Sequence, residues 1–125
     1  MTFSRKPVSF IATDDPQAAS AFYSDVLGLD MVESNAFALV FSDGGHTLRI
    51  QIVPELVPAL HTAYGWQVPD IAQALRVLAA KGVKASLFER LEQDELGVWT
   101  SPDGHKIAWF KDPSGNVLSL TEHKT

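Results

Sequence analysis

Apolar and polar positions form short blocks along the first half of the chain, and each block has a recognisable period. Residues 8–13 (VSFIAT) alternate as a strand does, and a helix is predicted from its N-cap at Asp15 to its end at Gly28. Three more strands are predicted, at residues 29–33, 37–41 and 46–53, with an Asp-Gly-Gly turn before the last. The pattern therefore predicts a β-α-β-β-β unit.

The second half repeats this order. Residues 107–120 (IAWFKDPSGNVLSL) echo residues 37–50 (FALVFSDGGHTLRI) as strand, turn and strand, and a second helix is predicted between Asp70 and Gly82. Strands are expected at residues 64–68, 83–88, 107–111 and 117–121, and residues 89–104 are interpreted as an added hairpin arm. We predict one domain over residues 1–125, with module 1 at about 1–53, a connector at 54–61 and module 2 at about 62–125.

Duplicated half-units that cannot each bury a core must pack on each other, so a small-molecule cleft between the copies is the expected site. Composition narrows the class further. The net charge is −5 and the ten Lys and Arg residues are spread along the chain without forming a basic cluster, so nucleic acid is not expected as a partner. No segment has the length of a membrane span, and the absence of cysteine is compatible with the reducing cytoplasm, where we expect the protein to reside.

Two segments resemble a known family: DDPQAASAFYSDVLGL, which enters the first module, and FKDPSGNVLSL, which closes the second. Together, at this separation, they are similar to the glyoxalase, bleomycin-resistance and extradiol-dioxygenase group, the vicinal oxygen chelate superfamily. The resemblance implies an α+β fold in which two βαβββ modules form a half-open, eight-stranded, barrel-like sheet. It also implies a cavity that usually holds a divalent metal, and a homodimer.

The resemblance places the family's metal ligands on four positions of this sequence: Val8, Arg49, Ala63 and Ser119. None carries a usual ligand, because three or four imidazole, carboxylate or thiolate donors are needed at about 2.0 to 2.4 Å from the ion. Arg49 would place a fixed positive charge where the cation sits in the family. The sequence therefore predicts no metal and no cofactor. Of the four histidines, interpreted as exposed turn residues, only His61 is close enough to a ligand position to serve as a displaced ligand.

Strand alternation then predicts the lining of the cleft. The expected ligand-binding residues are Val8, Phe10, Arg49, Gln51, Ala63, Gln67, Trp109 and Ser119. This lining suits a small, partly apolar molecule, possibly anionic, held by Arg49 and stacked on Trp109. An alternative in which Arg49 extends outward and Trp109 is ordinary core stays open, because a slip of one residue exchanges the two faces. Trp66 is predicted to pack under the second helix, and Trp99 either covers the cleft or lies in a dimer contact.

The sequence leads to three functional hypotheses. The leading hypothesis is a metal-independent protein that binds or sequesters a small molecule, with no catalytic residue assigned. The alternative is a metal-dependent lyase, isomerase or dioxygenase of the glyoxalase type that uses displaced ligands such as His61. A metal-free enzyme in which Arg49 stabilises an oxyanion ranks last, because no proton-transfer base is predicted in the cleft.

Overall fold

The computed structural model describes residues 3–124, which divide into two compact units, one ending at Val57 and one beginning at Pro58. Each unit contains a helix and a four-stranded mixed sheet in the order β-α-β-β-β. The predicted α+β class with two βαβββ modules is confirmed. The prediction of one domain over both modules stays a prediction. None of the helices in residues 3–124 combines the length and apolar character needed to cross a membrane.

The first unit consists of β1 (Val8–Thr13), α1 (Pro16–Ala21), β2 (Asp30–Ser34), β3 (Ala38–Asp43) and β4 (His46–Ile52). Its strand order is β1-β4-β3-β2, with β1 parallel to β4. The Asp15 side chain accepts a hydrogen bond from the Ala18 N–H at 3.1 Å, as expected of an N-cap. Where the sequence predicts a continuous helix, α1 passes into a π-helical turn at Phe22–Val26.

The two faces of the first sheet differ in what covers them. The helix-side face carries the buried Leu48, Ile50 and Phe41, and the Phe41 ring lies 5.8 Å from that of Tyr23, which is fully buried. The other face, which we call the distal face of the first sheet, is defined by cross-strand pairing. It carries Val8, Phe10, Ala12, Val40, Thr47, Arg49 and Gln51.

The second unit consists of β5 (Thr62–Gln67), α2 (Ile71–Ala80), β6 (Trp99–Thr100), β7 (Lys106–Lys111) and β8 (Val117–Glu122), in the strand order β5-β8-β7-β6. Asp70 caps α2 by accepting from the Gln73 N–H at 3.1 Å, and Glu122 on β8 accepts from the Ile71 N–H at 2.9 Å. The helix therefore lies on the face of the sheet to which Glu122 belongs. Buried residues from helix and sheet form this core: Ile71, Leu75, Leu78, Ala108, Phe110, Leu118 and Leu120.

The prediction of a strand at residues 83–88 is wrong. That segment has no regular structure, and within it Ser86 donates a backbone hydrogen bond to Trp109 O at 2.7 Å. The interpretation of residues 89–104 as an added arm is also corrected, because β6 lies within that range and pairs with β7 as the edge strand of the sheet. The apolar residues at 83–88 suggest a strand, but two backbone groups of this segment, the Phe88 N–H and the Ser86 carbonyl, bond to the side chain of Gln93. The hydrophobic pattern does not reveal such side-chain bonds.

Candidate functional site

The four site residues predicted in the first unit share the distal face of the first sheet. Phe10 lies directly across from Arg49 in the parallel β1–β4 pair, and Val40 flanks Arg49 on β3. Apolar side chains on this face are unusually open to solvent, since Val8 is 46% and Phe10 is 56% exposed. Gln51 is also exposed, and Arg49 is half-buried. This part of the chain therefore presents apolar surface around one cation.

In the second unit, the corresponding distal face is defined by the pairs Gly65–Ser119, Trp109–Ser119 and Gln67–Thr121. Ser119, Gln67 and Trp109 lie on it as predicted. A Cβ on Gly65 would collide with the Ser119 hydroxyl and lie 2.8 Å from the Ser119 carbonyl oxygen. The small residue at position 65 thus gives Ser119 its place between β5 and Trp109.

Ala63 departs from the predicted alternation. The register shifts between Thr62 and Tyr64, so Ala63 lies in a β-bulge and Thr62 takes the place opposite Val117. The Trp109 indole Nε1–H donates to the Thr62 hydroxyl at 3.1 Å. Thr62 is therefore a distal-face residue that the sequence analysis missed, and a single extra residue in a strand leaves no signal in the hydrophobic pattern.

Three aromatic rings pack together on the distal face of the second sheet. The ring of Trp109 lies 5.4 Å from Phe88 in an edge-to-face arrangement and 6.3 Å from Trp99 at a tilt of 36°. Trp66 takes the other face, as predicted, and stacks on the buried Phe110 at 6.4 Å. We call Phe88, Trp99 and Trp109 the aromatic cluster; it forms an apolar surface, and Thr62 orients its central indole through the hydrogen bond described above.

Gln93 holds two members of the aromatic cluster in place. Its side-chain oxygen accepts from the Phe88 N–H at 2.7 Å, and its Nε2 donates to Ser86 O at 3.0 Å and to Gly97 O at 2.8 Å. Residue 93 also forms an isolated β-bridge with Trp99. One side chain therefore bonds two backbone groups of residues 83–88, the segment where a strand was predicted. Gln93 lies within residues 89–104, which the sequence pattern suggested to be an added hairpin arm.

The histidines are less alike than predicted. His61 and His123 are exposed, whereas His46 bonds Ser9 at 2.8 Å and His105 accepts from the Lys124 N–H at 3.0 Å. The carboxylate of Asp103 lies 3.4 Å from His105 Nε2. The Ser101 hydroxyl donates to this carboxylate and, with a smaller contribution from His105, lowers the pKa of Asp103.

At the four positions where the resemblance places the family's metal ligands, the side chains are unsuited to a divalent ion. Val8 and Ala63 offer no donor, Ser119 offers a neutral hydroxyl, and Arg49 is a cation. Within residues 3–124, no three His, Asp or Glu side chains come together as a set that could hold a metal. His61, the displaced ligand considered above, belongs to no such set within this range. Chemistry routed through a metal therefore has no support from these residues.

The chain matches the model of a known family. The family model for the glyoxalase/bleomycin resistance protein/dioxygenase superfamily matches residues 8–120, and the chain belongs to this superfamily. No curated protein matches the chain significantly.

Solved structures with the same fold include proteins of different kinds. A lactoylglutathione lyase from Agrobacterium tumefaciens has 21% identity and a TM-score of 0.73, over 98% of this chain and 96% of its own. TnmS3, an antibiotic-binding protein from Streptomyces sp. CB03234, has 21% identity and a TM-score of 0.75, over 99% of both chains. A glyoxalase family protein from Enterococcus faecalis has 24% identity and a TM-score of 0.74, over 98% of this chain and all of its own. At these identities the likeness shows the fold alone.

Proposed function

We propose that this chain is a metal-independent member of the superfamily that captures a small, partly apolar molecule. The observation that carries the proposal is the side-chain chemistry at the four positions where the family's ligands fall, Val8, Arg49, Ala63 and Ser119, which offer no donor set for a divalent ion. The aromatic cluster and the exposed Phe10 and Val8 supply apolar surface for a ligand instead.

The mechanism is binding alone. Apolar parts of a ligand lose contact with water when they cover Phe10 or the aromatic cluster, at about 25 cal/mol per Å². The strand residues on the distal face of the first sheet include no His, and the acidic residues on that face lie on the edge strand β2. No proton-transfer base therefore adjoins Arg49. Binding without turnover is closer to what the antibiotic-binding protein TnmS3 is named for than to the activity of the lyase.

Native mass spectrometry of freshly purified protein tests this proposal, because it reports bound metal, bound metabolite and subunit number together. We expect no stoichiometric metal after dialysis against a mild chelator, and we expect a homodimer, as the family resemblance predicts. Retention of one equivalent of Zn, Ni, Fe or Mn per chain would overturn metal independence.

The competing proposal is a metal-dependent lyase, isomerase or dioxygenase that uses His61. It requires a turnover that chelation abolishes and added metal restores, and that is lost in His61→Ala. The exposed His123 provides the matched control, since His123→Ala should leave such a turnover intact.

A further inference from the structure

Arg49 is a cation without a hydrogen-bonding or ion-pair partner among residues 3–124. Its guanidinium forms no hydrogen bond or ion pair with any residue in the described range 3–124, although its side chain is half-buried. The ion pairs in this range join His105 with Asp103 and Lys106 with Glu122. A guanidinium is always charged at neutral pH and carries five donors, so its hydrogen-bonding capacity is left for water or a ligand.

The acidic residues on the same face are not placed to neutralise it. Glu33 belongs to the row Phe10–Arg49–Val40–Glu33, but two strand spacings, roughly 10 Å, separate its backbone from that of Arg49. The Glu33 carboxylate accepts instead from the Asn35 side-chain amide at 2.7 Å. Asp30 lies on the same edge strand, opposite Ser42, and is farther along it.

The cross-strand neighbours of Arg49 are apolar, while Thr47 and Gln51 adjoin it along β4. Phe10 and Val40 flank it across the strands, and Val8 lies two residues from Phe10 on the same face. Phe10 and Val8 are both open to solvent, so the cation and the apolar surface can be covered by one molecule. Solvent-exposed apolar side chains around an unpaired cation are the complement of an anionic head joined to an apolar body.

We infer that Arg49 binds the oxyanion of the captured ligand and that the ligand is an apolar carboxylate. This inference rests on the proposed function, which it narrows to a chemical class. The planar guanidinium fork matches the two oxygens of a carboxylate in a bidentate pair, and Phe10 and Val8 receive the adjoining apolar group. A neutral molecule of the same shape gains the apolar contact but leaves the guanidinium unpaired.

Two probes of equal shape separate these contributions. Naphthoate carries the carboxylate, naphthamide is its neutral analogue, and acetate supplies the anion without the apolar body. Calorimetric titration should show naphthoate binding about tenfold or more tightly than naphthamide, because hydrogen bonds to charged groups are worth at least that factor. The Nε–H signal of Arg49 should shift on addition of naphthoate in ¹⁵N-labelled protein, and acetate should bind far more weakly.

In Arg49→Gln, the preference for naphthoate over naphthamide should fall to about one, because a neutral amide cannot form the charge-assisted pair. Arg76→Gln is the matched control: it makes the same change on the exposed surface of α2 and should leave the preference unaltered. Should Arg49→Gln fail to fold, Arg49→Lys keeps the charge without the fork and should give an intermediate preference. Added salt should weaken naphthoate binding to the wild type and spare naphthamide.

Equal binding of the two probes to the wild type, or an unchanged preference in the folded Arg49→Gln variant, would overturn the carboxylate inference while leaving capture of a small apolar molecule standing. If neither probe binds up to its solubility limit, both this inference and the proposed capture fail. A preference for naphthoate that is the same in Arg49→Gln and in Arg76→Gln would indicate adventitious binding elsewhere on the protein and would also overturn the inference.

Discussion

Gly65 on β5 and Ser119 on β8 lie directly opposite each other, and the Ser119 side chain occupies the space that a Cβ on residue 65 would need. Trp109 flanks Ser119 on its other side. On the distal face of the second sheet, the Ser119 side chain therefore covers the backbone of Gly65. Glycine in the interior of a strand lowers its stability, so we attribute its presence at this position to the close approach of Ser119.

Gly65→Ala should destabilise the protein by about 1 to 3 kcal/mol, because the added methyl meets both the hydroxyl and the backbone carbonyl of Ser119. Urea denaturation measures the loss. Gln67→Ala, an exposed change on the same strand, should cost less than about 0.5 kcal/mol. In a double-mutant cycle, Ser119→Gly should recover part of the cost by removing the hydroxyl, and strict additivity would contradict the steric explanation.

The fold was predictable where local chemistry and periodicity agree. The caps at Asp15 and Asp70, and the hairpin at Gly44 and Gly45 with φ of 57° and 91°, require particular residue types that the sequence displays. The irregular segment before Gln93 could not be predicted, because part of its backbone bonding goes to the Gln93 side chain, which the hydrophobic pattern does not display. Strand alternation placed Arg49 and Trp109 on the distal faces, in agreement with the structure, because no bulge interrupts the β3–β4 or β7–β8 register.

The bulge at Ala63 leads to a prediction about its neighbour. Thr62→Val removes the acceptor of the Trp109 indole N–H while keeping the side-chain shape, so the Trp109 Nε1–H resonance should move upfield and its hydrogen exchange should quicken. The loss in stability should be about 1 kcal/mol. Ala63→Ser is the control, since a hydroxyl in the exposed bulge should leave that resonance in place; a shift in both variants or in neither would contradict the assigned contact.

Gln93 provides a test of how the aromatic cluster is held. Gln93→Ala leaves the Phe88 N–H and the carbonyls of Ser86 and Gly97 without their side-chain partner, and should cost about 2 to 3 kcal/mol. Gln93→Glu should cost at least as much, because it directs a carboxylate oxygen at two carbonyl oxygens. Both variants should alter tryptophan fluorescence, since Phe88 and Trp99 contact Trp109.

Gln73→Glu is the matched control for the Gln93 variants. It makes the same chemical change at an exposed site in the first turn of α2, where a negative charge is favourable, so stability should change by less than about 0.5 kcal/mol. Equal effects of Gln73→Glu and Gln93→Glu would show that the added charge, and not the lost hydrogen bonds, is responsible.

The Ser101–Asp103 contact predicts a local pH dependence. Hydrogen bonding by the Ser101 hydroxyl is the largest cause that lowers the pKa of Asp103, with a further contribution from His105. Because the folded pKa lies below the unfolded value of about 3.9, this contact stabilises the turn above that value and is lost as pH falls through the folded pKa. A ¹³C NMR titration of the Asp103 carboxyl should show the pKa rising toward its ordinary value in Ser101→Ala and staying low in Ser101→Thr, which keeps the hydroxyl. An identical Asp103 pKa in the wild type and in Ser101→Ala would show that the hydroxyl is not the cause.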